Sequence, residues 1–286
     1  MSFLTKFISK LRRRSKWGHT IDDVLTMCDK GAFADAYTLL CELIEKQSGL
    51  SKHGGICALL AELELLANDN ASKAIELLDR ALDGDRGGLD MIYYYRVRGK
   101  AMFDTGKYEE AVKNFEQAVA LDDGVENLKL LGQVLSEIND SGAMGVWKQI
   151  LEKDPKNCLA CANLGIELVK SGDKGRAMLM ARRAEKLNPS SEELYRIGLL
   201  YYDLDEYGMA INSFLEANRL GYEDKGFLYA CVAACYLSMN EAVPARKYVQ
   251  WAIRCNPENY YVKDVLHEYE ERFGNIEQNN KDREEK

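Results

Sequence analysis

The sequence predicts an all-α chain: a solenoid of about seven helix–turn–helix units closed by one further helix. Three observations predict it. Pro155, Pro189 and Pro257 are separated by 34 and 68 residues, so three of the 4 prolines fall at one recurring period, where a helix must stop. The stretch Gly99–Ala118 reads GKAMFDTGKYEEAVKNFEQA. Tyr95, Gly99 and Met102 make one helical stripe, Ala111, Phe115 and Ala118 make a second, and Gly106 divides them. The same spacing of small and bulky residues returns down the chain. A length of 286 residues would ordinarily suggest two domains of about 150 residues, but the period divides it into repeat units instead.

Residues 1–16 form a basic arm. Phe3, Leu4, Phe7, Ile8 and Leu11 fall on one helical stripe, with Lys6, Lys10 and Arg13 on the other side, the pattern of a helix lying in a membrane interface. Cations near an anionic surface contribute up to about 1 kcal/mol each, so firm attachment needs charge and apolar burial together. The same pattern fits a helix folded back over the first unit or the apolar groove. A basic, acid-free segment also fits an organelle-targeting sequence. All three readings stay open at this point.

Residues 17–259 hold the repeats. The units over about 17–50 (Gly31, Phe33, Ala36, Leu40) and about 55–88 (Leu65, Ala74, Leu78, Ala81) are degenerate. The unit from about 125 keeps Leu128, Leu131, Gly132 and Pro155 but sets Trp147 one residue before the position of Phe, which predicts a shortened internal turn. From about 158 the pattern sharpens, with Leu164, Gly165, Gly172, Ala177, Ala184 and Pro189. The next unit has Leu194, Ile197, Gly198, Tyr201, Tyr207, Ala210, Phe214 and Ala217, and the last has Tyr229, Ala233, Tyr236, Ala245, Ala252 and Pro257. Small residues at the eighth and twentieth positions let helix backbones approach, while Tyr and Phe fill the wedge between units. Residues 260–273 (YYVKDVLHEYEERF) form an amphipathic capping helix, and the polar segment 274–286 is expected to be disordered.

This series of residues resembles the tetratricopeptide repeat family over nearly the whole chain. The resemblance implies a right-handed α-solenoid that binds protein partners on the face made by the first helix of each unit. In that architecture positions two, five, nine and twelve of the first helix face the groove. Here they are Leu159, Ala162, Ile166, Val169, Tyr195, Leu199, Tyr202, Phe227, Ala230, Ala234 and Leu237. Such a groove is apolar and aromatic and suits an amphipathic helix or an extended peptide with aromatic anchors; the alternative is that several of these residues pack between neighbouring units. Some family members hold a partner's terminal carboxylate with Lys, Asn and Arg on three successive first helices. The matching positions are Lys129, Gln133, Asn163, Glu192 and Arg196. Glu192 reverses the expected charge. Charge-assisted hydrogen bonds contribute about 1.5–3 kcal/mol each, so this acid offsets much of the clamp.

Charge and cysteine usage exclude other classes. Lys and Arg number 38 against 46 Asp and Glu, for a net charge of −8, which argues against nucleic-acid binding through phosphate neutralisation. Six of the cations lie in residues 1–20, which carry +6, while the remainder carries −14. The 8 cysteines are too sparse for a disulfide framework and point to a reducing compartment. The longest apolar run, Phe227–Leu237, is too short to span a bilayer, and the arm lacks the continuous apolar core of a signal peptide. Cys158-Leu-Ala-Cys161 has redox or zinc spacing, but zinc needs a second ligand pair and none stands nearby, so both are read as buried thiols. His19, His53 and His267 lie in different units, with no nucleophile motif or phosphate loop beside them.

The expected function is therefore a non-enzymatic scaffold or adaptor, without cofactor or metal, that binds a protein partner in the groove. It is expected in the cytoplasm, with the arm as its route to peripheral membrane attachment. The alternative is a membrane-associated assembly factor or chaperone that shields hydrophobic client segments. A third reading is an auxiliary subunit of an enzyme complex.

Overall fold

The computed structural model describes residues 4, 6–8, 11, 21–47, 49–86 and 88–276. Among them the chain is helical throughout. The helices are α1 (Asp22–Asp29), α2 (Phe33–Lys46), α3 (Gly54–Asn68), α4 (Ala71–Asp83), α5 (Met91–Asp104), α6 (Tyr108–Leu121), α7 (Val125–Glu137), α8 (Ala143–Lys153), α9 (Cys158–Lys170), α10 (Lys174–Glu185), α11 (Ser191–Asp203), α12 (Tyr207–Arg219), α13 (Lys225–Ser238), α14 (Ala242–Cys255) and α15 (Tyr260–Phe273). Their order is that of seven helix–turn–helix units and a final helix, an α-solenoid. Contacts divide the chain into two compact units, Met1–Val146 and Trp147–Lys286. In unit 1, α1 packs on α2, α3 on α4 and α5 on α6; in unit 2, α9 packs on α10, α11 on α12 and α13 on α14, and α15 closes on α13 and α14.

The residues at each boundary explain where the helices start and stop. Pro155, Pro189 and Pro257 follow the ends of α8, α10 and α14, and within two residues a side chain caps the next helix. Asn157 accepts from Ala160 N at 3.0 Å, Ser190 forms a capping box with Glu193, and Asn259 accepts from Tyr261 N at 2.9 Å. Each hairpin turn contains one left-handed residue: Gly31, Asp69, Gly106, Asn139, Gly172, Asp205 and Asn240, all with φ between 50° and 85°. Gly, Asn and Asp are the residues that adopt this conformation at least cost, so the turn chemistry repeats even where the rest of the unit is degenerate.

Packing within the hairpins follows from the glycine on the first helix. A Cβ at Gly99 would lie 2.6 Å from the Phe115 ring, and one at Gly198 would lie 2.5 Å from the Phe214 ring. In the unit between them in pattern, Ala181 stands where Phe is expected, and the notch at Gly165 is filled by Leu200 of the next hairpin, 2.3 Å from the same virtual Cβ.

Two expectations need correction. The turn between α7 and α8 is not shortened: it spans residues 138–142, whereas α5 and α6 are joined by residues 105–107. The missing residue is taken from the start of α8, which has 11 residues against 14 in α6 and still buries the Trp147 indole completely. Within the segment read as a disordered tail, Ile276 is buried beside α13, α14 and α15, and its carbonyl accepts from Arg246 Nη2 at 2.8 Å. Residues 277–286 lie outside the described residues.

Candidate partner-binding face

In unit 2 the first helices α9, α11 and α13 present a row of apolar side chains that internal packing covers only in part. Leu159, Ile166 and Val169 on α9, Tyr195, Leu199 and Tyr202 on α11, and Phe227 on α13 are all half-buried. Their spacing of three and four residues keeps each set on one side of its helix. The aromatic members touch in series. Tyr195 meets Phe227 edge-on at 5.6 Å and Tyr222 at 5.3 Å, and Phe227 meets Tyr261 of α15 at 5.2 Å. Such contacts hold the rings in fixed orientation, which is what an anchor surface requires. Burial raises the hydroxyl pKa values of Tyr195 and Tyr261 and pushes that of Tyr222 up to about 12, so all three stay neutral donors.

The far end of the expected row is closed. Ala230, Ala234 and Leu237 on α13 are buried against Val262, Val265 and Tyr269 of α15. The capping helix uses their surface for its own apolar stripe. Ala162 is buried as well. Tyr222 and Tyr261 were not singled out from the sequence, although Tyr261 stands one 34-residue period after Phe227.

The polar candidates divide between the units. Lys129 and Gln133 lie on α7 of unit 1; Lys129 Nζ is 3.0 Å from Glu126 Oε1, and Gln133 is exposed. In unit 2 the buried Asn163 donates from Nδ2 to the Leu159 carbonyl at 3.0 Å. Arg196 lies over the Tyr195 ring at 5.6 Å, and its nearest acid, Glu192 Oε1, is 3.5 Å from Nε. That Nε is shielded from solvent and makes no hydrogen bond. Asn163 is thus satisfied within its own helix, and the Arg196 guanidinium is held between the Tyr195 ring and Glu192. On the same helices Lys170 pairs with the buried Glu167 at 3.1 Å and lowers the otherwise burial-raised pKa of Asp203.

Cys158 and Cys161 are buried on α9, where burial pushes the first to about 12 and raises the second; Cys235 is likewise pushed to about 12. A thiol so raised supplies almost no thiolate near neutral pH. His53 is buried and accepts from Ile56 N as a helix cap, and His267 is exposed beside Glu271. Among the described residues no group of three or more His, Cys, Asp or Glu is placed to hold a metal, and no helix is long and apolar enough to cross a membrane.

The arm meets unit 1. Phe7, Ile8 and Leu11 are 2%, 1% and 0% exposed and belong to the unit 1 core; Leu4 packs at its edge and Lys6 is exposed. The Phe7 ring stacks on Tyr93 of α5 at 3.6 Å and 5°. In this conformation the three apolar side chains are turned into protein and are not available to a bilayer. Phe3, Lys10 and Arg13 lie outside the described residues.

Stacked helical hairpins with a half-open apolar face define the class: an α-solenoid of the kind that serves protein–protein interaction. The chain is a tetratricopeptide repeat protein, with repeat-family matches at residues 92–124 and 194–220. Those two stretches contain the Gly99–Phe115 and Gly198–Phe214 pairs. In sequence the chain is similar to protein CTR9 homolog of Arabidopsis thaliana, 29% identical over 136 residues, which is 45% of this chain and only 12% of that protein's length. In structure it is similar to a tetratricopeptide repeat protein from Parabacteroides merdae, with a TM-score of 0.70 at 15% identity, covering 88% of this chain and 98% of the other. A chain of the Cut9–Hcn1 hetero-tetramer of the APC/C matches with a TM-score of 0.64 at 14% identity, covering 86% and 48%. At such identities the likeness is one of fold.

Proposed function

We propose that the protein is a non-enzymatic scaffold that holds one protein partner on the α9–α11–α13 face of unit 2. The observation that carries this reading is the row Leu159, Ile166, Val169, Leu199 and Tyr202, only partly buried beside a fixed Tyr195–Phe227–Tyr261 series. Apolar residues on packed helices are normally covered, and a contiguous row left open marks an interaction surface. The partner is a helix or extended peptide whose apolar side chains seat along this row, with an acceptor group, carboxylate or carbonyl, opposite Arg196. Of the cations in the carboxylate-binding pattern, Arg196 is the one that stands beside this row, over the Tyr195 ring. The arm serves as a cover for unit 1 in this reading, and membrane attachment is secondary to it.

The test is affinity capture with the full chain, wild type against Leu199→Asp/Tyr202→Asp, with circular dichroism to establish that the variant is folded. Loss of one stoichiometric partner is the expected result. An unchanged partner set would overturn the reading, and loss of many unrelated apolar clients would replace it with a chaperone role.

A further inference from the structure

The second helix of each hairpin carries charge of opposite sign in the two units. In unit 2 the charges on α8 come to +1, on α10 to +3, on α12 to zero and on α14 to +3, a total of +7 in a chain of net −8. In unit 1, α2 carries −2, α4 −1 and α6 −2, a total of −5. The first helices α9, α11 and α13 come to only −1, so the positive excess belongs to one side of the hairpins. Burial fixes which residues that side presents. α10 buries Ala177, Ala181 and Ala184, and α14 buries Ala245, Val249 and Ala252, at the same positions of the repeat. Opposite those stripes, and exposed, stand Leu179 and Arg182 on α10 and Val243, Lys247 and Arg254 on α14. In unit 1, α4 buries Ala74, Leu78 and Ala81 and exposes Glu76, while α6 buries Ala111, Phe115 and Ala118 and exposes Glu109 and Glu116. The Lys247 ammonium is held 4.5 Å over the Trp251 ring. Among the described residues neither these three cations nor these three acids have an opposite charge within ion-pair distance. Exposed aliphatic side chains lie among them on both faces: Leu179 is 60% and Val243 68% exposed in unit 2, and Leu121 at the end of α6 is 55% exposed in unit 1.

We propose that the basic second-helix face of unit 2 docks a second copy of this chain, on the acidic second-helix face of that copy's unit 1. A basic face by itself suits any polyanion. Here the chain supplies the complement, built on the same repeat positions and also carrying an exposed leucine for the dry centre that a specific contact needs. Opposed charge brings the faces together and selects this pairing, since basic on basic and acidic on acidic repel. The contact joins unlike surfaces, so a docked pair still offers one free face of each sign. The row on α9, α11 and α13 takes no part in it, and assembly therefore multiplies that row instead of covering it, which raises avidity for a partner that has several copies of its own motif. The inference goes beyond the reading of the first-helix face and does not depend on it.

The test is sedimentation velocity on the full chain. Raising NaCl from about 0.1 M to about 1 M shortens the screening length from about 10 Å to about 3 Å, and self-association should weaken at least about tenfold. Two variants each remove one face: Arg182→Glu/Lys247→Glu/Arg254→Glu takes the second helices of unit 2 from +7 to +1, and Glu76→Lys/Glu109→Lys/Glu116→Lys takes those of unit 1 from −5 to +1. Each variant alone should sediment as a monomer with the helical circular dichroism of the wild type. An equimolar mixture should form a dimer, because one variant keeps the acidic face and the other the basic one. Leu199→Asp/Tyr202→Asp, which alters only the first-helix row, should assemble as the wild type does, so a failed partner capture and a failed self-association are told apart. A wild type that is monomeric at low salt, association that salt does not weaken, or a mixture that stays monomeric would each overturn the proposal, as would loss of assembly in Leu199→Asp/Tyr202→Asp. If the wild type is monomeric and instead floats with phosphatidylserine vesicles, the basic face serves a bilayer and the self-docking reading is wrong.

Discussion

Replacing Gly198 by alanine separates two effects of opposite sign. Alanine in mid-helix gains about 1 kcal/mol over glycine through backbone entropy and propensity. Here, however, the added Cβ would stand 2.5 Å, 2.7 Å and 2.9 Å from three carbons of the Phe214 ring, roughly an ångström inside ordinary carbon contact. That ring is 1% exposed and has no free space to move into. Overpacking of this kind costs about 1–3 kcal/mol, so with the steepness of a 2.5 Å overlap the net change should be a loss of about 1–2 kcal/mol. In a Phe214→Leu background the obstacle is gone, and Gly198→Ala should become neutral or stabilising. The coupling between the two positions is then about 1–3 kcal/mol, measured by a double-mutant cycle on urea unfolding followed by circular dichroism. If Gly198→Ala destabilises equally in both backgrounds, the helices are not set apart by this contact and the packing argument fails.

Two further outcomes follow from the turns and from the interior of unit 1. Because Asn240 and Gly172 occupy equivalent left-handed turns at φ 59° and 85°, Asn240→Gly should be neutral or stabilising by up to about 1 kcal/mol, while Gly172→Val should lose at least about 1–2 kcal/mol; thermal melts giving both the same sign would refute this. Burial holds the Glu62 carboxyl above the ordinary 4.5 of glutamate, against the lowering by Tyr93, Lys100 and Arg96. The folded state therefore binds this proton more tightly than the unfolded chain, so its contribution is fully present below 4.5 and is lost as pH rises through the folded value. Glu62→Gln should flatten that dependence and be the more stable form near neutral pH; a variant with an unaltered stability–pH profile would show that Glu62 is solvated.

What was legible in the sequence was what the period enforces. Gly99, Gly198, Phe115 and Phe214 announce the hairpins because close helix approach has few chemical solutions, and the stripe of α15 is readable for the same reason. The open face was only partly legible. Apolar residues at groove positions look alike whether left open, as at Ile166 and Leu199, or covered by a neighbour, as at Ala230 and Leu237. The arm was ambiguous on physical grounds, since an amphipathic basic helix satisfies a bilayer and a protein groove equally. The surface that the arm meets, with Tyr93 under the Phe7 ring, lies far from the arm in sequence and so could not be read from it. The start of α8 was misjudged because a deletion inside a repeat shows in the alignment of stripes but not in which element absorbs it.

The exchange of Phe for Ala181, with Leu200 filling the space at Gly165, bears on how the molecule can be dissected. A fragment that stops between α10 and α11 carries an unfilled hole in its terminal hairpin, whereas one that starts at Ser191 keeps Gly198 and Phe214 together and is self-sufficient at that contact. Autonomy is thus directional along unit 2: trimming inward to α11 from the amino-terminal side should yield soluble pieces, and trimming back to α10 from the carboxy-terminal side should not.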